Sequence, residues 1–151
     1  QFLPETNSTY SAMVNISNND NDENPYTFRV DGKGVTGSVP DISVWSEGRE
    51  VPDGTVYDFG HCHVGKNKSR SFIVKNLGTA YLQVSPPLIV AGKDFSQDMT
   101  IPAAVPPGGL HELTVAFQPG EIGTSTAKML IRNNDADENP YIINLAGQGT
   151  D

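Results

Sequence analysis

The residues of this chain best equipped for chemistry are two runs of acidic side chains. Asp20, Asp22 and Glu23 lie in NNDNDENP, and Asp135, Asp137 and Glu138 lie in NNDADENP. Carboxylates at closely spaced positions of a loop offer several oxygen ligands to a hard cation, and calcium is the cation they suit. The EF-hand spacing with its bidentate glutamate is absent. Asn and Asp also serve a turn without metal, because their side chains bond nearby backbone and tolerate left-handed conformations. A second group is His61, Cys62 and His63. On a strand the two imidazoles share a face, which suits a metal pair. There is no second ligand pair at zinc-like spacing, and only His111 remains. The alternative turns Cys62 into a core, where a thiol behaves as a small hydrophobe. No nucleophile elbow, Walker loop or HExxH motif occurs. Gly108–Gly109, after Pro106–Pro107, reads as a turn. The chain reads as non-enzymatic, with no cofactor other than calcium in the acidic loops.

Recognition is the other chemistry to weigh. Trp45 is the single tryptophan, suited either to anchor a sugar or protein partner or to pack at a sheet edge. With Val44 beside it, only one of the two faces inward. The net charge of −8 and pI of about 4.7 speak against nucleic acid and against anionic membrane surfaces. No apolar run is long enough to span a bilayer as a helix. The lone Cys62 excludes an intramolecular disulfide but not secretion. Three N-x-S/T sequons, at Asn7, Asn15 and Asn67, are glycosylation acceptors if the chain enters a eukaryotic secretory pathway.

The elements that must carry these residues read as strands. Eleven prolines and fifteen glycines punctuate short alternating runs, and helix signals are nearly absent. Inward positions fall at Phe72 and Val74; at Leu113, Val115 and Phe117; at Ala127, Met129 and Ile131; and at Tyr141, Ile143 and Leu145. Further strands are expected at Asp41–Trp45, Val56–Phe59, Tyr81–Val84 and Leu88–Ala91. The chain also repeats itself. Phe2, Pro4, Ala12 and Ile16 match Phe117, Pro119, Ala127 and Ile131, and NNDNDENPYTFRVDGKG matches NNDADENPYIINLAGQG, all at an offset of 115 residues. That period is the size of one small β-domain. Residues 1–34 therefore read as the last two strands of a preceding repeat, 35–40 as a linker, and 41–149 as one complete domain. The expected fold is all-β: an antiparallel immunoglobulin-like sandwich of seven to eight strands, in tandem repeat.

The order PDISVW, DFGHCHVG, FIVKNLG (Phe72–Gly78), PPGG with LTVAFQP, and IRNNDADENPYIINLAGQG resembles the choice-of-anchor D type of Ig-like repeat. That type is related to the abnormal-spindle/hydin (ASH) and major-sperm-protein sandwiches. The resemblance implies a seven-stranded sandwich, frequently tandem, in large secreted, surface or ciliary proteins, with no enzymatic activity. The acidic segment also resembles the calcium-binding linker of cadherins. The expectation is a non-catalytic structural module of a long, repetitive extracellular or cell-surface protein. It would act as a spacer through contacts with neighbouring repeats or other subunits of an assembly. The alternatives are an adhesion module that recognises a glycan or surface protein, and a ciliary or centrosomal scaffold of the cytoskeleton.

Overall fold

The computed structural model describes residues 2, 4, 6–34, 37–99 and 103–151. The chain divides into two compact units, residues 1–37 and residues 38–151.

The first unit is a hairpin. β1 (Thr9–Ile16) pairs antiparallel with β2 (Tyr26–Lys33), from Ile16 opposite Tyr26 to Thr9 opposite Lys33. Among the described residues these two strands pair only with each other.

The second unit is a β-sandwich without helices among its described residues. It contains β3 (Ile42–Ser46), β4 (Arg49–Glu50), β5 (Val56–His63), β6 (Lys68–Asn76), β7 (Leu82–Val84) and β8 (Leu88–Val90). Then follow β9 (Phe95–Gln97), β10 (Ala103–Val105), β11 (Leu110–Phe117), β12 (Gly123–Ile131) and β13 (Tyr141–Thr150). One sheet runs β4-β3-β6-β11-β9 and the other β5-β13-β12-β8, with β10 and β7 forming a small ribbon. Every expected inward residue is buried, from Phe72 and Val74 to Ile143 and Leu145. Period-two alternation thus sets which face meets the opposite sheet. Aromatic rings fill one region of the core: Phe59 lies 5.5 Å from Phe95 and 6.1 Å from Phe117, and Phe95 stacks on Phe117 at 4.8 Å.

Three details differ from the sequence expectation. The strands of this unit exceed seven or eight because β4, β9 and β10 are only two or three residues long, too short for alternation to reveal. The sandwich is not wholly antiparallel. β5 lies parallel to β13, with Asn144 opposite Val56 and Thr150 opposite His63. No tight turn joins these two strands, so their direction is set by long connections through the rest of the domain. Finally, the segment read as a linker belongs in part to the domain. Thr79 and Ala80 donate their backbone N–H groups to the Val39 carbonyl at 2.7 and 3.0 Å, and Ser38 Oγ donates to the Thr79 carbonyl. Val35 and Thr36 lie outside the described residues.

Local sequence explains the joints. The β3–β4 turn consists of Glu47 and Gly48, with φ of 51° and 77°, the left-handed pair that a two-residue hairpin requires. The end of FIVKNLG is explained by Asn76 and Gly78. Asn76 is fully buried. Its Nδ2 donates to the Ala80 and Val105 carbonyls at 2.7 and 2.9 Å. Its Oδ1 accepts from the backbone N–H of Asp41 and Gly78 at 3.3 and 3.0 Å. A Cβ at Gly78 would press on the Val39–Asp41 backbone, so only glycine fits there.

Candidate functional site

The two acidic segments adopt one conformation. Asn18 and Asn133 each receive the backbone N–H two residues on, from Asp20 and Asp135, at 2.7 Å. Each donates Nδ2 to the carbonyl five residues on, Glu23 and Glu138, at 2.9 Å. Each donates its own N–H to Oδ1 of Asn24 or Asn139 at 3.1 Å. The bonds Asn24–Pro25 and Asn139–Pro140 are both cis. Side chains bonding to nearby backbone thus account for the Asn and Asp positions.

The surroundings of the two segments differ. Asp20, Asp22 and Glu23 are exposed. Asp135 is buried at 4% exposure, and its Oδ2 accepts the Ile42 backbone N–H at 2.9 Å. The hairpin is thereby tied to the first strand of its domain. Asp135 and Glu138 approach Asp41, the three carboxylates lying within 4.8 Å of one another. This is the one cluster of three metal-ligating side chains among the described residues. It takes in Asp135 and Glu138 of the expected set, leaves out Asp137, and adds Asp41 from 94 positions earlier. No local sequence signal marks Asp41 as a member. Burial, the Asp137 side chain and its negative charge hold the Asp135 carboxyl above its ordinary range against the Ile42 N–H. Burial and the charges of Asp135, Asp41, Asp137 and Asp53 push Glu138 up as well. Asp20 moves the other way, because Asp22 hydrogen-bonds to it. A calcium ion takes six or more oxygens, and here one oxygen of Asp135 is already committed to backbone.

His61 and His63 share the exposed face of β5, and Cys62 points into the core. His63 Nδ1 bonds the Asp151 carbonyl. His111 is half-buried on β11, and no cluster among the described residues includes a histidine. Val44 faces inward and Trp45 is half-buried at the sheet surface. The indole Nε1–H donates to Ser43 Oγ at 2.8 Å, and the Lys75 ammonium sits 3.7 Å over the ring. One ring face is therefore engaged within the domain, as a cation–π pair. Asn7, Asn15 and Asn67 are all exposed, and Ser69, the hydroxyl residue of its sequon, donates to Asn67 Oδ1 at 2.9 Å.

The fold and these joints define an Ig-like β-sandwich module. The sequence profile of the HYDIN/CFA65/VesB-like Ig-like domain matches residues 53–148, and the chain belongs to that family. No curated protein matches the sequence. Among solved structures, the ASH/PapD-like domain of human CEP192 (PapD-like domain 7) is similar, with a TM-score of 0.51 at 13% identity. The match covers 73% of this chain and 85% of that one. A protein of unknown function from Porphyromonas gingivalis W83 is similar with a TM-score of 0.53 at 12% identity, over 93% of this chain and 85% of that chain. A family 123 glycoside hydrolase from Clostridium perfringens gives 0.56 at 6% identity, over 74% of this chain and only 27% of its own. These likenesses show the fold alone.

Proposed function

We propose that the chain is a non-catalytic structural segment of a long, repetitive extracellular or cell-surface protein, acting as a spacer through contacts between successive modules. One observation carries this reading. The hairpin of β1 and β2 reproduces the β12–β13 hairpin of the complete domain in register, in its Asn-centred turn and in its closing glycines, always at an offset of 115 residues. Membership of an Ig-like domain family supports a scaffold role. The exposed, acidic surface and the three exposed sequons support the surface location. Membership of the HYDIN/CFA65/VesB-like Ig-like family is equally compatible with a second reading, a cytosolic ciliary or centrosomal scaffold domain. An antibody raised against residues 38–151 separates the two. It should label intact, unpermeabilised source cells, and labelling that requires permeabilisation overturns the surface reading.

A further inference from the structure

The complete domain shows what its last two strands are built to touch. Phe117, Met129, Ile131, Tyr141, Ile143 and Leu145 are each at most 2% exposed. Their counterparts 115 positions earlier are Phe2, Val14, Ile16, Tyr26, Phe28 and Val30. Val14 is half-buried, and the other five are 40–52% exposed. An apolar row of this kind on a two-stranded ribbon is not a stable end state.

We propose that this face is half of a sandwich core. Its other half is a segment with the pattern of residues 38–115, lying ahead of Gln1 in the same polypeptide. The inference rests on reading the chain as part of an array, and four features of the hairpin identify the occupant. First, Phe59 and Phe95 pack on Phe117 in the complete domain. At the corresponding place the hairpin has a depression of about 460 Å³, lined by Phe2, Tyr10, Ala12, Val30 and Gly32. Second, Tyr141 donates its hydroxyl to the Val51 carbonyl at 2.7 Å, and Asp135 accepts from Ile42 N–H. Tyr26 and Asp20 stand at the equivalent positions, exposed. Third, the edges match. β13 takes β5 as a parallel neighbour and β12 takes β8, whereas β1 and β2 pair only with each other among the described residues. Such unpaired edges template strand addition. Fourth, Gly32 lies against the Phe2 ring and Gly34 against Thr6 and Pro4, as Gly147 lies against Phe117 and Gly149 against Glu121 and Pro119. The hairpin is thus already shaped for the closed domain. A second copy is a poorer occupant. Its own strands of the covering pattern are already engaged in its complete domain, and its hairpin has no counterparts of Val51, Phe59 or Phe95. The match is not complete, since Arg29 replaces Asn144 and bonds Asp31 and Ser11 instead.

The test extends the full chain by placing residues 38–115 of its own sequence directly before Gln1. Amide exchange at Val14, Ile16, Tyr26, Phe28 and Val30 should slow by about a thousandfold or more relative to the unextended chain, as expected when a ribbon joins a cooperative core. Phe28→Asp in the extended chain should abolish that protection while residues 38–151 keep theirs. Three outcomes overturn the proposal: fast exchange in the extended chain while residues 38–151 stay folded; protection already present in the unextended monomer; or protection in the unextended chain that tracks dimer formation, which assigns the face to a second copy. Cell labelling reads location alone, so a failure there leaves this exchange result standing.

Discussion

Changing the Asn76 amide to a carboxylate would isolate what that side chain does. Asn76→Asp keeps the acceptor that serves Asp41 and Gly78 but removes both donors from the Ala80 and Val105 carbonyls, and it places a charge in a fully buried site. Losing hydrogen bonds and burying an unpaired charge together should cost roughly 3 kcal/mol or more. Urea unfolding is the measurement, and a loss below about 1 kcal/mol contradicts this role. The acidic cluster makes a second prediction. Asp135 and Glu138 have folded-state pKa values above ordinary ones, so the folded domain holds these protons more tightly than the unfolded chain. Their contribution to stability must fall as pH rises from the ordinary carboxylate range, about pH 4, toward neutrality. Asp98 has the opposite sign. Accepting the Thr114 backbone N–H lowers its pKa, so its contribution is present above that range and lost as pH falls. Glu138→Gln should flatten the decline toward neutral pH and gain up to about 0.5 kcal/mol at pH 7. A pH series of thermal melts on both proteins checks it, and parallel curves would count against mutual repulsion in the cluster.

At the scale of elements, the strands that alternate over five residues or more were legible, because each places its apolar residues on one face of a shared core. Of the two- and three-residue strands, β7 and β8 fall within the expected Tyr81–Val84 and Leu88–Ala91, whereas β4, β9 and β10 were not legible. Phe72, Val74, Asn76 and Gly78 were visible as a motif, but Asn76 bonds four backbone groups that only the folded chain collects. The acidic turns were legible as turns. The cluster with Asp41 was not, because it depends on where the first strand enters the domain. Repeated sequence in two settings gives a direct comparison of context. A Cβ at Gly147 would sit 2.5 Å from the Phe117 ring, which is fully buried. Gly147→Ala should therefore cost roughly 1–3 kcal/mol by overpacking. At Gly32 the same Cβ would meet the Phe2 ring, which is 52% exposed rather than packed in a core. Gly32→Ala should change the domain's urea midpoint negligibly. Equal effects at the two sites would mean that local geometry, not core packing, sets the requirement for glycine.

At the scale of the molecule, charge dominates. A chain of 151 residues with a net charge of −8 repels itself, and part of that charge collects around Glu138, on which Asp135, Asp41, Asp137 and Asp53 act. Salt screens such repulsion over roughly 10 Å at 0.1 M. Raising NaCl from 10 to 500 mM, both about those values, should increase the melting temperature by roughly 2–4 °C, equivalent to somewhat under 1 kcal/mol for a domain of this size. Calcium sharpens the test. An ion bound at the Asp41, Asp135 and Glu138 cluster would stabilise the folded state by mass action, beyond any screening. The cluster is a weak host. One Asp135 oxygen is occupied by the Ile42 N–H, which leaves at most five carboxylate oxygens for an ion that gathers six or more. At matched ionic strength, calcium chloride and sodium chloride should therefore raise the melting temperature equally. A larger rise with calcium, lost in Asp135→Asn but kept in Asp22→Asn, would place a calcium site in the complete domain. It would also make the acidic turn a ligand-bearing element rather than a purely structural one.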